Sequence, residues 1–232
     1  MRHFDIDHSA NAHAGARPAS MAVQAFVTRV FSIMGVGLGI TGATSLITLN
    51  VPALLKLAVQ AQWLFLIGEL VLVFYLARSF TRMKPDTVLG WFLFYSALNG
   101  LVFSPIFLVY TSSSIASAFF IAAGMFGAMA LWGLSTKKDL TSVGSLAFMG
   151  LIGIIIASLV NLFMQSSALQ LWISYIGVGV FIGLTAWDAQ KIKRMAQAGA
   201  GGGAAVMGAL ALYLDFINLF LHLLYILGGR RD

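Results

Sequence analysis

The sequence predicts an all-α integral membrane protein, a seven-transmembrane-helix bundle, and three observations carry that prediction. Of the 232 residues, 59% are hydrophobic and only 9% charged, whereas soluble domains are about 25% charged. Seven apolar runs approach the ~20 residues that cross a bilayer in helical form. The basic residues alternate in density from one connection to the next. With the N-terminus in the cytoplasm, that side holds Arg2, Arg17, Arg29, Arg78, Arg82, Lys84, Lys137, Lys138, Lys191, Lys193 and Arg194, while the other holds Lys56, Arg230 and Arg231. This bias predicts a multi-pass protein of the cytoplasmic membrane with its N-terminus inside. The terminal "GGRRD" runs against it.

The same figures exclude several classes. With no cysteine, the chain has no disulfide framework, thiolate catalysis or Cys-based zinc site. The net charge of +6 is spread over short loops instead of gathered into a patch, so nucleic acid is not the expected partner and the lipid bilayer is.

Residues 1–22 are polar and small and lack the apolar core of a signal peptide, so they read as a flexible tail. His3, His8 and His13 are evenly spaced there without the preorganisation a metal site needs. Residues 23–228 form the bundle and 229–232 a short C-terminal tail. The first span, residues 26–48, carries "GVGLGITG", in which Gly35, Gly39 and Gly42 have the spacing of a helix-packing seam. The second, residues 62–77 or from nearer Leu54, holds Glu69 well inside, with Arg78 and Arg82 beyond its end. Those arginines read either as positive-inside anchors or as partners of a carboxylate.

The third span, residues 87–110, contains Tyr95 and Asn99 four apart, and Pro105, which frees a backbone carbonyl that Ser104 or a neighbour must satisfy. Residues 115–134 make the fourth and 143–164 the fifth, where Ser158 and Asn161 are candidate interhelical hydrogen-bonders. The sixth, residues 169–187, repeats the small-residue pattern at Gly179 and Gly183 and closes on Asp188. "GAGGG" at 199–203 has neither a strand before it nor Lys-Ser/Thr after it, so it is a connector and not a phosphate loop. Residues 204–227 make the seventh span.

Asp215 lies almost at the centre of that last span. A carboxylate there costs at least ~2.5 kcal/mol and usually faces the bundle interior or a water-filled cavity. Gly208, Ala211, Asp215, Asn218, His222 and Tyr225 recur at steps of three or four, a small and polar stripe. Leu210, Leu214, Ile217, Leu221 and Leu224 form a second stripe suited to lipid. Asp188 reads either as an interfacial carboxylate paired with Lys191, Lys193 and Arg194 or as the partner of Asp215 across one connector. Two such carboxyls in a low dielectric would share one proton and titrate as a unit, a pH sensor. Deprotonated, they are hard oxygen ligands suited to transient Ca²⁺ binding. Glu69, Asn99, Asn218 and His222 are the other candidate lining residues of a pathway.

"LNGLVFSPIF" (98–107), "AWDAQKIK" (186–193) and "LYLDFINLF" (212–220) closely resemble the Bax inhibitor-1 family in its bacterial branch. That resemblance implies six helices around a central seventh and a pH-responsive calcium leak gated by Asp188 and Asp215; the expectation is accordingly of a protein that is not an enzyme and carries no cofactor, with Ca²⁺ as the transported ion. It also implies a latch arginine at the end of the second span, where Arg78 and Arg82 both fit. Some relatives carry a basic residue where this chain has Tyr225, and His222 lies one turn earlier. Two other functions compete: a regulator of a membrane protease or similar complex, with the tail as docking element, and an intramembrane aspartic protease. Against the protease, Asp215 follows "LYL" without the Gly-x-Gly-Asp signature. A retinal protein is excluded because every lysine lies outside the spans.

Overall fold

The computed structural model describes residues 8–229, with side chains from residue 20 onward. His3, Arg2, Arg230 and Arg231 lie outside the described residues, as do the side chains of His8, His13 and Arg17. Every regular element described is helical: α1 (His8–Asn50), α2 (Pro52–Gln60), α3 (Gln62–Ser79), α4 (Pro85–Phe103), α5 (Ile106–Val109), α6 (Ser112–Ser135), α7 (Thr141–Met164), α8 (Ser167–Gln197) and α9 (Gly202–Leu227), with a 3₁₀ turn at Phe80–Arg82. Seven segments are long and apolar enough to span a bilayer, and they match the seven apolar runs in order. The α1 helix starts at His8 while its membrane-length part runs Ser20–Asn50.

Local chemistry explains the breaks. Val51 is extended and Pro52 opens α2, where a missing N–H costs nothing; the second span therefore begins at Gln62 and not near Leu54. Pro105 ends α4 because its ring nitrogen cannot donate to the carbonyl of Leu101, four residues back. The Ser104 hydroxyl donates to that carbonyl at 2.8 Å, as the sequence requires. At the α7–α8 turn Gln165 is left-handed, with φ of 50°. Asn161 spans that turn, donating to Gln170 Oε1 at 3.1 Å and accepting from the Ser166 N–H at 3.0 Å.

The α9 helix is the core. Half of its membrane-length window is buried, against 11% for α7 and 17% for α3. It packs directly on α8, α6, α1 and α4, while α7 packs chiefly on the outside of α8 and α3 on α4. The six-helix surround is thus uneven, with four helices forming the inner wall. Burial all round α9 corrects the expected lipid stripe: Leu210, Ile217 and Leu224 are buried, and only Leu214 and Leu221 are half-buried. A helix packed against four others buries apolar residues on several sides, so sorting its residues by polarity misplaces its leucines. The lipid surface comes from the other spans, through exposed side chains such as Phe74, Phe120, Leu146 and Phe163.

Glycine works at some seams and not others. A Cβ on Gly100 would collide with the Thr41 carbonyl, one on Gly133 with the backbone of Ala186, and one on Gly144 with the Trp187 ring. On Gly183 it would stand 3.3 Å from the Ala147 methyl. Gly35, Gly39, Gly42 and Gly179 face open space, so the first-span pattern is not a seam within this chain.

Candidate functional site

The α8 and α9 helices run antiparallel, which brings residues of rising number on one against falling number on the other: Gly208 lies against Ile192 and Gly177 against His222. This register carries Asp188, on α8, towards Asp215, on α9. Both are buried, 9% and 4% exposed, and the charge of Asp188 acts on Asp215. The Oδ2 of Asp215 is fully enclosed and accepts no hydrogen bond. Such an orphaned acceptor carries a desolvation cost and calls for a proton, a water or an ion.

Asp188 does not pair with the bases that follow it. Lys191 acts on it electrostatically, but the ammonium sits over the Trp187 ring, 5.1 Å from its centroid. Lys193 donates to the Leu134 carbonyl at 2.6 Å. Arg194 binds Asp139 at 2.8 Å and also donates to Gln190 Oε1. The Gln190 side chain accepts from the Leu140 N–H at 3.0 Å and donates to the Lys138 carbonyl at 2.7 Å. The α6–α7 connection is thereby clamped to α8 just past Asp188, and the bases are occupied there. The exposed Asp139 carboxyl is held below its usual range by hydrogen bonds from Thr141 and then by Arg194.

A pocket of about 270 Å³ reaches Asp188 from the end of the bundle where α9 begins. Ala77, Phe80, Asp188, Lys191, Gly208 and Ala211 line it, so its floor stops one helical turn short of Asp215. On the opposite side of Asp215 lies a smaller cavity of about 130 Å³, walled mainly by Phe103, Phe107, Phe119, Phe216 and Phe220. Water and cations are disfavoured in so apolar a space. The aspartate level is therefore flanked by a pocket that reaches Asp188 on one side and by a smaller, mainly apolar cavity on the other.

The remaining predicted residues spread over three places. Arg78 and Arg82 are exposed at the end of α3 and in the 3₁₀ turn, bracketing Phe80 at the pocket wall, and neither forms an ion pair with Asp188 or Asp215. Asn218 and His222 line a lipid-facing cleft of about 410 Å³ with Trp63 and α7. Asn218 donates to its own helix at Leu214, 2.8 Å, and the His222 ring lies 5.7 Å from that of Phe181.

Glu69 and Asn99 belong to a separate buried centre. Glu69 is 8% exposed, its Oε1 has no hydrogen-bond partner, and its charge acts on Tyr95 and Tyr213. Asn99 donates to the Tyr95 carbonyl at 3.2 Å. Sequence reasoning missed Tyr213 here, although a phenol two residues from a buried aspartate is a signal the string contains.

The family model described as inhibitor of apoptosis-promoting Bax1 matches residues 23–232. The chain belongs to the Bax inhibitor-1 family. It is 45% identical over 219 residues to inner membrane protein YbhL of Escherichia coli K12, covering 90% of this chain and 93% of that one. An uncharacterised protein of Rickettsia prowazekii is 44% identical over 213 residues, covering 89% and 90%. One from Deinococcus radiodurans is 40% identical over 214 residues, covering 90% and 92%. The matched region of this Bax inhibitor-1 member covers six of the seven spans whole and all but the first three residues of the first.

Proposed function

We propose that this Bax inhibitor-1 protein is a pH-sensitive cation leak channel of the cytoplasmic (inner) membrane, passing Ca²⁺, with its N-terminus in the cytoplasm. The observation that carries the reading is the placement of Asp188 and Asp215: two buried carboxyls, one acting on the other, with the first at the wall of a pocket and the second sealed beyond it. Two buried carboxyls that act on each other in a low-dielectric interior do not both ionise cheaply, so in this reading the pair holds one proton between them. Loss of that proton leaves two anions that repel each other and attract a divalent cation. Protonation state and cation occupancy therefore compete for the same oxygens.

Two carboxylates alone make a site weak enough to release its ion, as conduction requires. Among the described residues no cluster of three or more His, Cys, Asp or Glu provides a tighter one. In this reading the mainly apolar cavity beyond Asp215 is the barrier that opening would have to wet. Arg78 and Arg82, which neighbour Ala77 and Phe80 of the pocket wall in sequence, are the cations that would guard entry, and Glu69, Asn99, Asn218 and His222 would flank an opened path. Catalysis has no part in this reading.

The test is Ca²⁺ entry into liposomes loaded with purified protein, repeated with Na⁺, K⁺ and Mg²⁺ in place of Ca²⁺. Cation flux that exceeds protein-free liposomes and varies with pH is expected. Flux equal to that of protein-free liposomes at every pH would contradict the reading.

A further inference from the structure

Tyr213 is the largest fully buried side chain among the described residues. Its hydroxyl lies 2.7 Å from Thr41 Oγ1. Thr41 Oγ1 is itself 2.9 Å from the Ser96 carbonyl and 3.0 Å from the Gly37 carbonyl. Carbonyls only accept, and a threonine hydroxyl has one proton, so Thr41 directs that proton to them and Tyr213 donates to Thr41. The result is a one-way chain of hydrogen bonds from α9 to α1 and α4. The Tyr213 ring is seated edge-on against Phe92 at 5.6 Å and Tyr95 at 6.0 Å, so its position is set by packing as well.

Residues two apart on a helix point about 200° apart. With Tyr213 fastened to α1 and α4, Asp215 must face the other way, where α8 brings Asp188. The titratable and charged groups around this arrangement are Glu69 of α3 and Tyr95 of α4 on the Tyr213 side, and Asp188 and Lys191 of α8 on the Asp215 side. The membrane parts of α1 beyond Val30 and of α6 contain no titratable side chain, and His222 lies farther along α9.

We propose that Tyr213 is a positioning residue for the aspartate pair, its hydroxyl bond to Thr41 setting the rotation of α9 at which Asp215 meets Asp188. The inference rests on the reading of that pair as the gate. A single buried hydrogen bond biases a two-state helix by about fivefold, which is the size of effect to seek.

The experiment compares wild type, Tyr213→Phe, Thr41→Val, Thr41→Ser and the Tyr213→Phe/Thr41→Val double variant by two readouts. One is the midpoint of Ca²⁺ flux against pH in liposomes; the other is the infrared carboxylic C=O band of detergent-purified protein titrated with acid, which needs no flux. Tyr213→Phe keeps the ring and removes only the bond. We expect its midpoint to move by about fivefold in proton activity, Thr41→Val to move it in the same sense, the double variant no further, and Thr41→Ser to match wild type. Infrared midpoints of Tyr213→Phe and Thr41→Val coincident with wild type, or shifts that add in the double variant, would overturn the proposal. Should wild-type flux prove independent of pH, the gate reading fails by itself, and the infrared titration still decides whether Tyr213 positions the pair.

Discussion

Tyr213 and Asp215, two residues apart on the central helix, face opposite walls of the bundle: the phenol bonds Thr41 on α1 at 2.7 Å, and the carboxyl feels Asp188 on α8. The interior of the bundle thus holds two polar centres joined by one turn of one helix. What fixes the first orients the second.

The hydrogen-bond direction predicts unequal stabilities. Tyr213→Phe deletes a donor and leaves Thr41 with its carbonyl acceptors, at a cost of about 1 kcal/mol. Thr41→Val takes away the phenol's 2.7 Å acceptor and leaves it only the Ser96 side chain, so it costs more, on the order of 1–3 kcal/mol. The double variant should recover part of that loss, because no orphaned donor remains. Thermal unfolding in a single detergent checks the order; Thr41→Val no less stable than Tyr213→Phe would refute the assigned donor.

Glycine substitutions should separate into two groups. Gly133→Ala drives a methyl into the Ala186 backbone, and overpacking of this kind costs about 1–3 kcal/mol. Gly39→Ala meets nothing within 4 Å and should leave the melting temperature at or above that of wild type. Equal losses at both positions would mean that Gly39 packs against something outside this chain.

The clamp on the α6–α7 connection is predicted to be structural and silent to pH near neutrality. Gln190→Leu removes the partner of the buried Leu140 N–H and should cost about 1–3 kcal/mol. Asp139 has a depressed pKa when folded, so its stabilising contribution is present above the unfolded carboxylate range, near 3.9, and is lost only as pH falls through the lower folded value. Asp139→Asn should therefore leave the flux midpoint where it is in wild type while weakening stability in acid-free buffer only slightly, because the pair is exposed. A flux midpoint displaced by Asp139→Asn would bring this loop into the gate.

Much of the fold was legible because its causes are local. A run of ~20 apolar residues is a span whatever its neighbours, and Pro105 announced a freed carbonyl with Ser104 among its possible partners, though not that α4 would end there. Asp215 stood out because a carboxylate in an apolar run demands explanation. What failed depends on neighbours. Leu210, Ile217 and Leu224 resemble lipid-facing residues on any helix except one enclosed by four others, and Gly39 resembles Gly100 until a partner helix is placed beside one and not the other. Tyr213 went unread for the same reason: its partner is 172 residues away in sequence, and nothing local joins them.

The central claim is that Asp188 and Asp215 act as one titrating unit. Ca²⁺ entry into liposomes, measured across pH for wild type, Asp188→Asn, Asp215→Asn and the double variant, tests it most directly. Each single variant is predicted to lose the wild-type pH dependence, and the double variant to match the singles. Four superimposable curves, or a double variant whose change is the sum of two independent ones, would contradict it.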